Sequence, residues 1–362
     1  MSPYNYVFPA IRGIQAKREY YVAMCPLKLV PKILIFNETN MKAQFKAQRV
    51  LNKSRIPSLV RYIIDNPSNY VFSALTASVD TEIEFSPIEG LEDQNIGQLS
   101  VPMTANMLVN DGQHRRAAIE KALQLRPELG DETIPIVLFL DAGLKRSQQM
   151  FADLNRYAVR PARSLNILYD YRDPLSALVR KIIQRIHVFD DMVELGKTSI
   201  SNRSTKLFTL SCLHQATQEL LNGHDISDKN TAELAISFWS EIAKVIPDWE
   251  RAKNNEVSGA HLRKHYIHAH GVTLHALGIM GAALVKQYSK NWKTKLKQLR
   301  KIKWERSNAK LWEGRAMIAG RLSKANNHVR LTANVLKKTV GVRLTKDERV
   351  LEKRFTQGEL RD

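Results

Sequence analysis

The pattern of hydrophobic and polar positions predicts two kinds of structure along the chain. In the first part, short apolar runs of strand length, such as YYVAMCPL and IPIVLFL, alternate with helical periods such as IPSLVRYIIDN. We expect strands at residues 70–79 and 134–140, and a loop over residues 86–105, which are rich in Pro, Gly, Asn and Gln. Almost every later segment has the helical period. The sequence therefore predicts an α+β fold, with a mixed α/β domain over residues 1–160 and a mostly helical domain over residues 161–362.

Several helices are predicted individually. AELAISFWSEIAKVI (232–246) is strongly periodic, and TLHALGIMGAALVKQY (273–288) is nearly all apolar, which indicates a helix in the core. LKRSQQMFADLNRYAV (144–159) predicts a helix in the first domain. Near the end of the chain, Thr345 and Glu348 stand three residues apart, which is the pattern of a capping box.

Composition excludes several classes of protein. Hydrophobic residues make up 44% of the 362 residues, which suffices for ordinary cores. No run of about 18 uncharged apolar residues is present, so no membrane-spanning helix is expected. The start of the chain lacks the basic region and apolar core of a secretory signal. Cys25 and Cys212 are the only cysteines, which excludes a disulfide framework and a four-cysteine zinc site. We expect a reducing cytoplasm and buried, apolar surroundings for both thiols.

The charge of the chain is distributed unevenly. The net charge is +19, and residues 251–362 hold 26 Lys and Arg against 8 Asp and Glu, a net of +18, which leaves 29 against 28 in residues 1–250. Such asymmetry is typical of proteins that bind a polyanion, although a basic surface that serves only solubility gives the same count. Nucleic acid is favoured over a membrane surface, because tryptophans are interleaved with the basic residues and no isolated amphipathic anchor is present.

The segment NWKTKLKQLRKIKWERSNAKLWEGR (291–315) concentrates this charge. Its basic residues are predicted to contact DNA phosphates, whereas Trp292, Trp304 and Trp312 are predicted to face the core. The helix predicted at 326–341 is also a candidate for groove contact. No helix-turn-helix pattern is recognisable, so no base-reading residue is assigned. The residues predicted to bind DNA are Lys293, Lys295, Lys297, Arg300, Lys301, Lys303, Arg330, Lys337 and Lys338.

Five histidines lie close together in the sequence, but no metal site is predicted from them. His261, His265 and His268 would share one helix face, with a spacing that is acceptable for zinc. Glu256 is the single nearby residue that could complete the set, and the flanking basic residues would repel a dication. Contacts with the DNA backbone or a half-buried helix are the other interpretations. The remaining two histidines of the cluster are His270 and His275.

The stretch NMLVNDGQHRRAAIEKAL (106–123) contains the candidate chemistry of the first domain. It predicts a strand, a turn at Gly112 and a helix, and a helix N-terminus that follows a glycine is a ready anion site. Arg115 and Arg116 would add side-chain donors suited to phosphate. The alternative is that Asp111 is the helix N-cap and that the polar residues after it face water. The spacing does not decide between the two.

DGQHR, at residues 111–115, resembles the motif that gives the DGQHR-domain family its name. Most of the chain resembles one branch of that family, the DndB proteins of DNA sulfur modification (phosphorothioation). The segments that carry this resemblance are FPAIRGIQ (8–15), REYYVAMCPLKLVPKI (18–33), FSALTAS (72–78), NDGQHRRAAIE (110–120), LKRSQQMFADLNR (144–156), SNRSTKLFTLS (201–211), YIHAHGV (266–272) and RSNAKLWEGRAM (306–317).

A more distant resemblance connects residues 45–160 with the ParB/sulfiredoxin fold, in which a strand-to-helix motif with glycine and arginines holds nucleotide phosphates. DLNRYAVRP (153–161) lies where ParB-like proteins carry a second motif that faces the same site. Two departures are clear: ParB-like motifs have Glu-Arg-Arg at Gln113-His114-Arg115, and sulfiredoxins have a reactive cysteine where this chain has Gln113. The resemblance implies a phosphate or nucleotide site formed by Gly112, Gln113, His114, Arg115, Arg116, Asn155 and Arg156.

The resemblance also implies a function. DndB-type proteins bind DNA and regulate transcription of the sulfur-modification genes, so we expect a cytoplasmic regulator that binds the promoter of those genes and no membrane. A homo-oligomer is compatible with this role. One alternative is an NTPase or an NTP-dependent DNA-nicking enzyme that uses ATP or another NTP, with Asp111 holding Mg²⁺ and His114 acting as acid or base. Another is an adaptor for the modification enzymes.

Overall fold

The structure, a computed structural model, describes residues 4–35, 51–90, 92–140, 149–150, 152–154 and 161–359. The chain divides into two compact units, residues 1–159 and residues 160–362. The first unit is built on a mixed β-sheet, and the second is mostly helical. The predicted α+β fold class is confirmed.

The described strands of the first unit form one eight-stranded sheet with the order β3-β7-β4-β8-β2-β1-β6-β5. The β3–β7 and β4–β8 pairs are parallel, and the other pairs are antiparallel. The strands are β1 (Asn5–Gln15), β2 (Arg18–Pro26), β3 (Leu34–Ile35), β4 (Leu75–Val79), β5 (Glu84–Pro87), β6 (Ile96–Pro102), β7 (Met107–Asp111) and β8 (Thr133–Leu140).

The helices of the first unit are α1 (Val30–Ile33), α2 (Ile56–Asp65) and α3 (Gln113–Leu125), with 3₁₀ turns at Lys53–Arg55 and Pro127–Asp131. The helices α2 and α3 pack against each other. Ile56, Val60 and Ile63 are buried on α2, at the helical spacing that the sequence shows. Ala118 and Ile119 are buried on α3. The same core contains β4, whose five residues are all buried.

The second unit is organised around one long apolar helix. This unit contains α4 (Arg163–Tyr169), α5 (Pro174–Arg185), α6 (Leu210–Leu220), α7 (Lys229–Val245), α8 (Asp248–Lys253), α9 (Gly259–His265), α10 (Gly271–Gln287), α11 (Trp292–Leu296), α12 (Ala309–Trp312), α13 (Asn326–Thr339) and α14 (Lys346–Thr356). The central helix α10 packs against α6 on one side and α13 on another. At Gly278 the backbones meet closely, since a Cβ there would lie 2.1 Å from the carbonyl oxygen of Ala216.

Four short strands accompany these helices. They are β9 (Val193–Glu194) and β10 (Phe208–Thr209), which pair in parallel, and β11 (Met317–Ile318) and β12 (Arg321–Leu322), which pair antiparallel. In the described part of the chain, no helix combines the length and the apolar character that crossing a membrane requires.

The predicted elements agree with most of this architecture and fail at two places. The predictions at 232–246 and 273–288 correspond to α7 and α10, and the capping box is present, with the Thr345 Oγ1 accepting from the Glu348 N–H. The predicted loop 86–105 is wrong, because β6 lies within it; its alternating burial was obscured by Gly97 and Gln98. Residues 70–74, predicted as strand, precede β4.

The helix predicted at 144–159 is only partly open to comparison. Residues 149–150 and 152–154 are helical, and the rest of that segment lies outside the described residues.

Candidate functional site

The DGQHR motif occupies the junction between β7 and α3. Gly112 is the N-cap residue, with φ of 100°, and a Cβ there would lie 2.4 Å from Leu75 Cδ2, so both the backbone and the space require glycine. The N-cap alternative for Asp111 is wrong, because no side chain caps α3. The Asp111 carboxylate instead contacts Arg115, with 2.6 Å between Oδ2 and Nη2.

Arg115 connects α3 to the segment that leads into β4. Its Nη1 donates to the carbonyl oxygens of Ser73 at 2.5 Å and Ala74 at 2.9 Å, and to the Ser73 hydroxyl, while Nη2 donates to Asp111. The side chain is 16% exposed. Hydrogen bonds from a charged group are among the stronger polar interactions in proteins. Arg115 therefore holds the motif in place.

Arg116 makes an equivalent connection on the other side of α3. Its Nε donates to the Leu34 carbonyl at 3.1 Å, Nη2 to the Pro31 carbonyl at 2.8 Å, and Nη1 to Glu120 Oε2 at 2.5 Å. The guanidinium thereby joins α3 to the segment formed by α1 and β3, and its donors face protein acceptors.

Gln113 and His114 also have protein partners. Gln113 is buried, and its Nε2 donates to the carbonyl oxygens of Val109 at 3.2 Å and Asn110 at 3.0 Å, at the end of β7. His114 Nε2 accepts a hydrogen bond from the backbone N–H of Asn52 at 3.1 Å. These contacts tie the first turn of α3 to the end of β7 and to the backbone at residue 52.

This arrangement does not fit a nucleotide phosphate without a change of partner. The side-chain donors of Arg115 and Arg116 face carbonyls and carboxylates, so an anion would have to replace Asp111 on Arg115. A cavity of about 320 Å³ lies against α3, where Lys53 and Lys121 are among its lining residues. The other two predicted phosphate-binding residues, Asn155 and Arg156, lie outside the described residues.

The basic segment, residues 286–304, is arranged differently. It holds eight Lys and Arg and no Asp or Glu. It contains α11 and a 3₁₀ turn at Lys297–Lys301. Lys295 is half-buried, with Nζ 4.9 Å from the centre of the Tyr288 ring. The exposed cations predicted to bind DNA are Lys293, Lys297, Arg300, Lys301 and Lys303.

The tryptophans anchor this segment to the core. Trp292 is 7% exposed, Trp304 8% and Trp312 0%, as the sequence predicts. Trp304 and Trp312 stack with their ring centres 5.9 Å apart, and Trp312 Nε1 donates to the Lys303 carbonyl at 2.9 Å. Buried indoles thus fix the backbone from which Lys303 extends into solvent.

Of the cations predicted on α13, one is buried. Lys337 is 4% exposed and its Nζ lies 2.5 Å from Glu348 Oε1, so it cannot reach a phosphate, which corrects its assignment. Lys338 is half-exposed and pairs with Glu352 Oε2 at 2.7 Å. Arg330 is partly exposed.

Glu352 pairs with two cations of the second unit at once. Its carboxylate accepts hydrogen bonds from both Nη atoms of Arg315, at 2.7 and 3.0 Å, and from the Lys338 ammonium. Burial alone would raise the pKa of Glu352, but the hydrogen bonds from Arg315 and Lys338 lower it to about 2.

Comparison with known proteins decides the family. A family model described as DndB, DNA-sulfur modification-associated, matches residues 8–343, which is most of the chain. The chain belongs to the DndB family. It therefore has a role in the DNA sulfur modification system. No curated protein and no solved structure matches the chain, so the likeness to the ParB/sulfiredoxin fold stays a prediction.

The histidine cluster of this DndB chain is divided between core and surface, since His268 is buried whereas His261 and His265 are exposed. His268 is fully buried, accepts a hydrogen bond from Trp249 Nε1 at 3.1 Å, and lies 3.2 Å from Asp248. His270 Nε2 donates to the Arg263 carbonyl at 2.6 Å, and burial lowers the pKa of His270 to about 4. Among the described residues, no group of three or more His, Cys, Asp and Glu could hold a metal ion.

The partners of the DGQHR motif were missed by sequence reasoning. They are main-chain atoms of residues 31–34, 52 and 73–74, which are distant from the motif in sequence. Any residue type offers a backbone carbonyl, so these acceptors leave no sequence signal. The nearest available signal was the resemblance of the segment at 72–78 to the DndB branch.

Proposed function

We propose that this DndB chain is a DNA-binding transcriptional regulator of the sulfur-modification genes. The observation that carries the proposal is the basic segment, in which exposed cations follow one another over residues 286–304 without an acidic residue between them. Lysine and arginine side chains of this kind contact DNA phosphates and release counterions when they bind.

The way the segment is anchored supports this role. Trp292 and Trp304 are buried, so the backbone between them is fixed before DNA arrives. A surface that is ordered in advance loses less conformational entropy on binding than a flexible tail does. Phosphate contacts alone carry no sequence information, so selection of the promoter requires base contacts elsewhere in the complex.

In this proposal the DGQHR motif senses a nucleotide phosphate, of ATP or another NTP, with or without Mg²⁺. The phosphate would take the place of the Asp111 carboxylate on Arg115, next to the first turn of α3, where the helix dipole favours an anion. Arg115 also donates to the carbonyls of Ser73 and Ala74, which precede β4. Exchange of Asp111 for a phosphate on Arg115 would therefore alter the contacts at the start of β4. Asn155 and Arg156 would complete the site.

The test is DNA binding by the full chain across a salt series, using promoter and unrelated duplexes. Replacing four exposed cations of the basic segment by Gln should reduce the slope of log K against log salt by about 3.6, because each phosphate contact contributes about 0.9. The variant carries Lys293→Gln, Lys297→Gln, Lys301→Gln and Lys303→Gln.

The control variant removes the same charge from outside the last third of the chain, at four lysines that are each at least partly exposed. It carries Lys17→Gln, Lys181→Gln, Lys197→Gln and Lys229→Gln. Equal loss of slope in both variants, or no loss in the first, would refute the assignment of DNA binding to the basic segment. Equal affinity for promoter and unrelated duplexes would refute the regulatory role.

The structure does not favour the NTPase alternative. That activity needs the Asp111 carboxylate for Mg²⁺ and His114 as a proton carrier. Asp111 is paired with Arg115, and His114 Nε2 accepts from the Asn52 N–H. Nucleotide hydrolysis by the purified chain that is lost in both Asp111→Asn and His114→Asn would restore this alternative.

A further inference from the structure

The second unit contains a cavity that the proposed function does not use. Its volume is about 680 Å³. The walls come from the end of β10, the first turn of α6, helix α9 and the first residue of α10, together with Arg306 and Lys324 from later in the chain.

The cavity is lined by positive charge. Arg263, Lys264, Arg306 and Lys324 all contribute to its wall, and among the described residues that line it none is acidic. His270 also lines it, and is neutral at physiological pH because burial lowers its pKa to about 4. Concentrated like charge without a protein counter-ion is the environment that binds an anion.

The four cations divide into two kinds. Arg263 Nη2 donates to the carbonyls of Ser201 and Ser204, at 3.0 and 2.9 Å, and Arg306 Nη2 to the Gly320 carbonyl at 2.7 Å, so the guanidiniums hold the walls while keeping their charge. Lys264 and Lys324 are exposed. Carbonyl partners do not neutralise a guanidinium, so all four charges add to the field in the cavity.

A thiol lies at the wall beside one of these lysines. Lys324 Nζ is 2.7 Å from Cys212 Sγ, and Cys212 belongs to the first turn of α6, where its N–H donates to the Thr209 hydroxyl. Cys212 is half-buried, not enclosed as the sequence predicts. Gly271 makes room for the pair, because a Cβ there would lie 2.2 Å from Lys324 Nζ and 2.6 Å from Cys212 Sγ.

Three segments that carry the resemblance to the DndB branch meet at this cavity. Asn202 and Thr209 come from the segment at 201–211, His270 from that at 266–272, and Arg306 from that at 306–317. These segments are far apart in sequence. The fold brings residues from all three to one basic cavity.

We propose that this cavity binds a phosphate ester, with Lys264 and Lys324 as the binding cations and Cys212 beside the bound group. The phosphate ester is carried either by a free nucleotide or by a DNA strand. Hydroxyl groups of Thr198 and Ser199 offer hydrogen-bond donors at the rim, and the volume suits a ligand of nucleotide size. The proposal does not depend on the DGQHR motif or on the basic segment.

Cys212 provides a direct readout of occupancy. Cys25, the other cysteine, is 0% exposed, and burial raises the pKa of its thiol to about 12, so alkylation of the folded chain by iodoacetamide reports on Cys212. The rate is measured on the full chain with pyrophosphate, AMP, ATP, or a short single-stranded or duplex oligonucleotide. At ten times the Kd a bound ligand should slow alkylation about tenfold, since only the unoccupied fraction reacts.

Variants assign the protection to the cavity. Lys324→Met and Lys264→Met should each raise the Kd for protection about tenfold, by removing one charge-assisted hydrogen bond. Lys310→Met, an exposed lysine outside the cavity lining, is the matched control and should leave protection intact. Each rate is compared with and without ligand in the same variant, because Lys324 also contacts the thiol itself.

The pattern of protection from alkylation distinguishes the possible results. Protection by AMP or ATP identifies a nucleotide site, and protection by oligonucleotide alone identifies a DNA phosphate; both support the proposal. Absence of protection by every probe at millimolar concentration overturns it, as does protection that is equal in both lysine variants and the parent. Alkylation of Cys25 marks an unfolded variant, and the other lysine variant then carries the test.

Discussion

The DGQHR motif and the basic segment are both rich in cations, but they use them in opposite ways. Arg115 and Arg116 direct their donors at backbone carbonyls and carboxylates of their own unit. Lys297, Lys301 and Lys303 are exposed on a segment that contains no acidic residue. A basic residue is therefore available to a binding partner only where the surrounding chain offers its side chain no hydrogen-bond acceptor.

A contrast in burial exists within α13. Lys337 and Lys338 are neighbours in sequence, yet the first is buried against Glu348 and the second is half-exposed against Glu352. The helical period decides which of the two faces inward. The contributions of a buried and an exposed ion pair to stability can thus be separated by mutation.

The largest effect is expected from removing the acid that pairs with two cations. Glu352→Gln should lower the free energy of unfolding at pH 7 by about 3 kcal/mol, because the pKa of Glu352 falls from its usual 4.5 to about 2 on folding. The stabilisation is present above pH 4.5 and is lost as the pH falls through 2. Urea unfolding of parent and variant between pH 2 and pH 7 measures it.

The control for this prediction is Glu92→Gln, which alters an exposed glutamate. It should change the free energy of unfolding by less than about 0.5 kcal/mol. A pH-independent difference between the Glu352 variant and the parent would show that the carboxylate is not held ionised by Arg315 and Lys338.

Removing a cation of the motif should affect stability and leave DNA binding intact. Arg115→Met should cost about 2 kcal/mol of unfolding free energy, since the carbonyls of Ser73 and Ala74 lose their donor. Thermal and urea unfolding measure the loss. Lys121→Met, an exposed change on the same helix, should stay within about 0.5 kcal/mol. A lower salt slope for DNA binding in Arg115→Met would contradict the structural role assigned to this arginine.

An intermediate effect is expected on α13. Lys337→Met should cost about 1.5 kcal/mol because it leaves the Glu348 carboxylate without its buried partner. Lys338→Met should cost about 0.5 kcal/mol, as Arg315 still pairs with Glu352. Both are measured by urea unfolding. A reversed order would mean that burial does not separate the two lysines.

The smallest effect on stability should come from the basic segment. Lys301→Gln should leave the unfolding free energy within about 0.5 kcal/mol of the parent. It should reduce the salt slope of DNA binding by about 0.9, the contribution of one phosphate contact. Fluorescence anisotropy with a labelled duplex across a salt series measures the slope. An unchanged slope would remove Lys301 from the DNA-contacting set.

The sequence predicted those features that depend on local periodicity. Helix α10, the capping box at Thr345 and the burial of Trp312 all follow from the spacing of apolar and polar residues. Strand β6 was missed because Gly97 and Gln98 interrupt its alternation, and pairing with β1 compensates for that. Local pattern fails where tertiary contacts supply the stability.

At the candidate site, the sequence predicted the backbone but not the direction of the side chains. The strand, the turn at Gly112 and the helix are as expected. Arg115 and Arg116 also pair with the nearby Asp111 and Glu120, but their carbonyl partners belong to residues that only the fold brings near, so the motif alone does not identify these carbonyls. The basic cavity was missed for the same reason, since its four cations come from three separate places in the chain, at 263–264, 306 and 324.

The order of strands in the sheet has a consequence for synthesis of the chain. Strand β8 lies between β4 and β2, so it joins the two halves of the sheet, yet β2 ends at Pro26 and β8 begins only at Thr133. The hairpin of β1 and β2 can pair as it leaves the ribosome, but the other edge of β2 stays unpaired until β8 has been synthesised. An exposed strand edge is a template for association with other chains. During translation, the first unit is therefore most vulnerable to aggregation before residue 140 emerges.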